Sequence, residues 1–218
     1  MTLAPPSPAS WAPPAGTTVR GTVVLLPGRG EHAGIYPRLG ARLAFDGYRV
    51  TVPPADLPVK VTAGPGPVVL LGHDTGAVRA LDLAASLPVD AVIASGLPLG
   101  GSGSWDDELD ARTACPVHRA LLDADDGFAR GELHTPVASP LAEPEVPVLV
   151  LHGEADKVAD PNAARAYAAK LPKSRFVLVG GGRHDVLNDV DHRSVAAEIV
   201  QFLEWLRAGT GTPALVRG

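Results

Sequence analysis

Short apolar runs closed by glycine or proline recur along this chain. They alternate with stretches in which apolar positions fall three or four residues apart. Val23 to Leu26 form the first run, ended by Pro27 and Gly28. A run of this length between turn signals predicts a strand buried on both faces. Tyr36, Leu39, Leu43 and Ala44 then recur at helical spacing, with Gly47 closing the segment. YRVTV and VVLLG read as strands. Val78, Leu81 and Ala85 mark a helix that stops near Pro88. DAVIASG, EVPVLVLHG and SRFVLVGG are further strands, and PNAARAYAAKL is a helix with Pro161 suited to its first turn. Val195, Ile199, Phe202, Leu203 and Leu206 line one side of a last amphipathic helix, with Asp191 near its start.

Strands alternating with helices, and apolar on both faces, predict an α/β fold with a mostly parallel sheet of about six strands flanked by helices. Two stretches break the rhythm. PPADLPVKVTAGPGP, residues 53–67, holds five prolines and two glycines. It predicts an irregular connection where a parallel crossover normally carries a helix. Residues 98–145 open on Gly-rich LPLGGSGS and continue with short helices after Ser104 and after Pro116. Their length and position between two strands predict a small helical lid over the strand C-termini. The expected organisation is a Pro-rich arm at 1–15, extended or disordered, one domain at 16–208 containing the lid, and a loose tail at 209–218.

Composition narrows the function classes. The net charge of −5 offers no basic footprint for nucleic acid or an anionic membrane. The start of the chain lacks the charged-then-apolar pattern of a signal peptide, and no apolar run approaches the roughly 18 residues that span a bilayer. Cys115 is the single cysteine, so an internal disulfide and a cysteine metal cluster are excluded. A reducing, cytoplasmic setting fits. No histidine spacing points to zinc, and neither metal nor cofactor is expected.

GHDTG follows the VVLL run and opens the next helical pattern, with Asp74 at its centre. Here the chain resembles the α/β-hydrolase superfamily from about Gly21 to Leu206, most closely the monoacylglycerol lipase or lysophospholipase type. PGRGEH resembles that group's oxyanion loop in its G-x-G-E-H ending. GHDTG occupies the nucleophile elbow, and HGEADKVADP and GGGRHDVLND resemble the segments bearing the acid and the histidine. Their order matches the superfamily's nucleophile–acid–histidine order. The resemblance implies a hydrolase of small organic molecules with a triad of Asp74, His184 and Asp156.

The residues fit those roles physically. Gly72 and Gly76 let strand and helix pack around a strained turn that presents Asp74. The backbone N–H groups of Thr75, at the helix start, and of Arg29 can serve an oxyanion. Asp156, shortly past a strand, can orient the imidazole of His184, just past the last one. Gly28, Tyr36, His73 and Trp105 are candidate substrate contacts. Pro27 stands where related enzymes often have a histidine.

Aspartate at the elbow changes the chemistry. Its carboxylate attacks an sp³ carbon well, opening an epoxide or displacing a halide to leave an alkyl ester. Attack on an ordinary ester would give an anhydride, a poor intermediate. Epoxide hydrolases and haloalkane dehalogenases of this superfamily use aspartate there. The former add lid tyrosines, which this lid lacks, and the latter often have tryptophan where Thr75 stands. Three readings stay open: Asp74 as nucleophile, Asp74 with His184 as general acid and base in a non-hydrolytic biosynthetic step, or a relic in a binding protein.

Other groups read more plainly. His152 ends a strand in a supporting role. Cys115 and His118 are spaced as a pair on one helical face, but a half-buried lid cysteine is the simpler reading. GLPLGGSGS lacks the lysine of a phosphate-binding loop and reads as a hinge. Asp185 and Asp189 are expected to be solvated or capping. Asp106, Asp107 and Glu108 suit a first helical turn.

Overall fold

The computed structural model describes residues 9–54, 57–101, 105–137 and 140–209. Six parallel strands stand in the order β3-β2-β4-β5-β6-β7: β2 (Gly21–Leu26), β3 (Tyr48–Val52), β4 (Val68–His73), β5 (Ala91–Ser95), β6 (Val148–Gly153) and β7 (Ser174–Val179). A seventh strand, β1 (Ala9–Trp11), joins the β3 edge antiparallel, pairing Ala9 with Val52 and Trp11 with Val50. Part of the proline-rich arm is therefore ordered into the sheet. Trp11 packs against Gly40, where an added Cβ would come within 2.3 Å of its ring.

The central strands are buried throughout, since both faces are covered, and apolar except where His73, Ser95 and His152 stand near their C-terminal ends. On one face lie α1 (Pro37–Phe45) and α6 (His192–Ala208), which send Leu39, Leu43, Ile199 and Phe202 onto Leu25, Leu71, Ile93 and Leu149. On the other lie α2 (Thr75–Leu83) and α5 (Pro161–Lys170), which pack Ala77, Ala80, Leu81 and Ala168 against Val24, Leu70, Val92 and Val150. Each fully buried Leu, Ile or Val contributes roughly 1.5–3 kcal/mol. Gly209, with φ of 63°, ends α6 as its C-cap.

The connection from β3 to β4 has no helix among its described residues, as five prolines require, and Val59 plugs it onto the α2 face. Between β5 and β6 come α3 (Glu108–Arg112), capped by Asp107, then α4 (Pro116–Ala124) and a 3-10 turn at Glu132–His134. Residues 102–104 of the expected hinge lie outside the described residues.

Strand order reverses at β2, whose neighbours are β3 and β4. Open α/β sheets gather functional groups at such a switch point, beyond the strand C-termini. The loop after β2 carries Arg29, and the turn after β4 carries Asp74.

Candidate active site

Asp74 sits at the crest of the β4–α2 turn with φ of 51° and ψ of −121°, and is the one non-glycine residue with positive φ among those described. Such a conformation costs of order 1–3 kcal/mol and persists only where its surroundings enforce it. Here the strand and helix close around two missing side chains. A Cβ on Gly72 would lie 2.1 Å from the Gly76 carbonyl oxygen, and one on Gly76 would lie 2.0 Å from that of Leu26. The Asp74 N–H donates to Ser95 O (2.9 Å), and its carbonyl accepts from Ala77 N (2.9 Å). Thr75 opens α2, so its N–H is among those without an intrahelical acceptor.

The Asp74 side chain is fully buried and surrounded by donors. Arg29 grips it at both oxygens, Nε to Oδ2 and Nη2 to Oδ1, each at 2.8 Å, and the Arg29 backbone N–H adds a third bond to Oδ2 at 2.9 Å. His184 Nε2 stands 3.5 Å from Oδ1, an ion-pair distance. On its other side His184 Nδ1 meets Asp156 Oδ2 at 2.9 Å. Asp156 is itself fixed by Val158 N (2.8 Å) and Ala159 N (3.0 Å), while His152 Nε2 lies 3.0 Å from its Oδ2. The structure thus brings together Asp74, His184, Asp156 and Arg29. Arg29 alone of the four has a side chain that reaches solvent, at 10% exposure.

Charge follows from this geometry. Burial opposes ionisation of Asp74, but the His184 and Arg29 cations overcome it and hold the carboxyl well below the usual range. Asp156 is likewise held low, against its burial, by His184 and His152. Burial opposes protonation of His184, yet Asp156 and Asp74 raise its pKa to about 10. At neutral pH the resting site is therefore a closed quartet of two anions and two cations.

The remaining candidates are placed differently. Gly28 lets the loop after β2 touch the elbow, since a Cβ there would lie 2.8 Å from that of Asp74. His73 is buried with its ring centroid 5.1 Å from that of His184 and its Nε2 3.5 Å from Glu31 Oε1. Tyr36, expected as a substrate contact, instead donates its buried hydroxyl to Glu31 Oε2. Trp105 stacks on His134 at 4.2 Å within the inserted segment. Cys115 precedes α4 with Sγ 3.5 Å from Arg38 Nη1, while His118 bonds Asp185 at 3.1 Å, so thiol and imidazole serve different partners.

Asp185 and Asp189 correct the expectation of solvated or capping acids, because both are buried. They follow His184 on a loop that the inserted segment covers. Asp189 accepts from Thr113 Oγ1 (3.0 Å), Ala114 N (2.7 Å), Arg183 N (2.8 Å) and Val190 N (2.9 Å). Arg112, 1% exposed, donates to Glu31 Oε1 (2.9 Å), Glu108 Oε1 (2.8 Å) and Arg29 O (2.6 Å). Arg29 Nη1 adds bonds to the carbonyls of Leu133 (2.9 Å) and Thr135 (2.6 Å). The insertion is thereby fastened to both the histidine loop and the loop after β2. The sequence reading missed the Arg29 side chain, Glu31 and Arg112. Arg29 and Glu31 carried a signal, being charges set among the glycines of PGRGEH. Arg112 carried none.

A family model described as serine aminopeptidase, S33 matches residues 132–191, the stretch that holds Asp156 and His184. No curated protein matches the chain by sequence. Among solved structures, a soluble variant of monoglyceride lipase from Saccharomyces cerevisiae is 18% identical, with 90% of each chain covered and a TM-score of 0.72. Monoacylglycerol lipase from Paleococcus ferrophilus is 20% identical over 94% of this chain and 99% of its own, with a TM-score of 0.70. The enol-lactonase from Burkholderia xenovorans is 17% identical over 91% and 96%, with a TM-score of 0.69. Six parallel strands, an elbow after β4 and these likenesses together give the chain the α/β-hydrolase fold.

Proposed function

We propose that this protein is a small-molecule hydrolase in which Asp74 is the covalent nucleophile, His184 the proton carrier and Asp156 the acid that orients it. One observation carries the reading: a carboxylate on a strained turn has an imidazole 3.5 Å from one oxygen, and that imidazole is steadied by a second carboxylate at 2.9 Å. The likeness to lipases and an enol-lactonase supports hydrolysis in general. The residue at the elbow directs it to sp³ carbon.

The two oxygens of Asp74 have separable roles. Oδ2 already accepts the Arg29 backbone N–H, so it is the oxygen suited to carry charge in an oxyanion hole completed by Thr75 N–H. Oδ1 faces His184 and is the attacking atom. It bonds to the substrate carbon, and the C–O bond of an epoxide or the C–halogen bond breaks with its electron pair. The insertion has no tyrosine to protonate a departing alkoxide, since Tyr36, Tyr48 and Tyr167 all lie outside it. The protonated His184 supplies that proton, whereas a halide needs none. Once Asp74 is an ester its charge is gone, and one of the two causes that hold the proton on His184 goes with it. Opening an epoxide leaves His184 neutral, and after loss of a halide His184 releases its proton to solvent; the neutral imidazole then takes a proton from water as the water attacks Cγ. Charge builds on Oδ2, the Cγ–Oδ1 bond breaks, and the alkoxide leaves with Oδ1, taking the proton from the imidazolium to become the alcohol. The new carboxyl group then gives its proton to His184 and the resting site is restored. Residues 98–145 act as a lid that excludes solvent from this exchange.

A second reading is favoured by one feature. Both oxygens of Asp74 are occupied and the side chain is sealed, which suits a catalytically silent or binding protein as well as a resting enzyme. A panel of epoxides, halo-acids and p-nitrophenyl esters separates the two. The nucleophile reading predicts turnover of an epoxide or halide that is lost in Asp74→Asn, and an alkyl-enzyme trapped from the halide, whose departure needs no proton, in His184→Gln. Ester turnover that survives Asp74→Asn, or silence across the panel, would overturn it. A general-base role predicts loss of activity in both variants with no adduct.

A further inference from the structure

We infer that Arg29 is the substrate-recognition residue and that the substrate carries a carboxylate of its own, which displaces Asp74 from the guanidinium and thereby frees the nucleophile. The inference rests on the reading of Asp74 as that nucleophile. Four observations lead to it. Oδ1, the attacking atom, is held by Arg29 Nη2 at 2.8 Å, and a hydrogen bond from a cation draws charge from it and lowers its nucleophilicity. Arg29 is the one member of the quartet whose side chain reaches solvent, so an arriving ligand meets it first. Its Nη1 is tied to the Leu133 and Thr135 carbonyls, which keeps the guanidinium in place while its Asp74-facing edge changes partner. Finally, Asp74 has a second cation at hand in His184.

A neutral substrate would have to part a buried ion pair and leave a guanidinium without an anion, which is strongly unfavourable. A carboxylate replaces one planar anion by another on the same fork of donors. After the exchange the substrate faces Arg29 and Asp74 faces His184, so each anion still has a cation. The site thus selects for a charged organic acid with a reactive sp³ carbon near its carboxyl group, and selects against the uncharged amide or ester of the same skeleton. No extra reactant is needed, because the exchange is ionic and the covalent step is the one given above.

Glycidate and glycidamide test this as a matched pair, the same epoxide with and without the charge. In the otherwise unaltered protein, where His184 still supplies its charge and its proton, rapid-quench mass spectrometry follows the initial rate of mass gain on the peptide containing Asp74 for each. Glycidate is expected to label about 100-fold faster, since each factor of ten is about 1.4 kcal/mol and a parted buried pair costs several. In parallel, propionate is expected to raise the Tm of the otherwise unaltered protein while propionamide leaves it unchanged. Arg29→Gln, and Arg29→Lys as a variant that keeps the charge but loses the fork, should bring the labelling preference below about threefold and abolish the propionate effect. Equal labelling by the two epoxides, or a preference that survives both Arg29 variants, would overturn the inference while leaving the nucleophile intact. A propionate effect that depends on Arg29, with no adduct from either epoxide, would uphold carboxylate recognition and remove the nucleophile. Neither adduct nor Tm shift would overturn both.

Discussion

At the scale of single residues, the site is a problem in proton placement. His184 lies between two carboxylates, and their charge outweighs the burial that would strip its proton. A base that is already protonated cannot activate water. Catalysis therefore depends on Asp74 losing its charge first, which alkylation does. Asp74→Asn imitates that loss, and should lower the His184 pKa from about 10 by about 1 unit or more, as read by NMR titration of the imidazole. An unchanged titration would mean that Asp156 alone holds the proton. The positions of Asp74, Asp156 and His184 were legible because each follows a recognisable strand. The Arg29 guanidinium was not, because the sequence reading assigned Arg29 only a backbone donor, and nothing in one sequence says which way an arginine turns.

At the scale of elements, two devices position these groups. The elbow is a contact between backbones, with Gly72 and Gly76 leaving no room for a methyl group. Gly76→Ala should destabilise the protein by about 2–4 kcal/mol in urea unfolding, because the obstructing atoms are backbone carbonyls that cannot swing aside. A cost under about 0.5 kcal/mol would show that the turn relaxes. The second device is the fastening of the insertion. Asp189 holds four donors, two of them from the α3–α4 junction. Asp189→Ala should cost about 3 kcal/mol, since it strands buried donors, whereas Asp191→Ala, at an exposed position with no side-chain cap bond, should stay within about 0.5 kcal/mol. The sequence marked the insertion by its length and its interrupted helices. It did not reveal that the acids after His184 anchor it. Two aspartates in a polar loop look the same whether they face water or an overlying segment.

At the scale of the whole molecule, the strand rhythm, the helix faces and the irregular proline-rich crossover were all readable, because periodicity and chain stiffness act locally. The antiparallel β1 edge was not, since its three residues are defined by the partner strand and by the Trp11–Gly40 contact across 29 positions. Buried charge also sets a pH profile for the fold. The folded pKa of His184 is raised above its unfolded value of about 6.5. Its contribution is therefore complete below that pH and is lost as pH rises towards about 10. Asp74, Asp156 and Asp185 are depressed below the unfolded value of about 3.9, so their contributions hold above it and are lost as pH falls further. Unfolding free energy from denaturant titrations should peak between about pH 4 and 6.5, and the alkaline decline should shrink in His184→Gln. A decline of equal size in that variant would remove His184 as its cause.

The chemistry itself is tested most directly by the fate of solvent oxygen. Excess enzyme is mixed with a limiting amount of the epoxide or halide that turns over fastest, in water enriched in ¹⁸O. If Asp74 is the nucleophile, the product carries unlabelled oxygen taken from its carboxylate, and the heavy isotope is found in the peptide that contains Asp74. Heavy oxygen in the product, with that peptide unlabelled, would mean that water attacks the substrate directly and would contradict the covalent account.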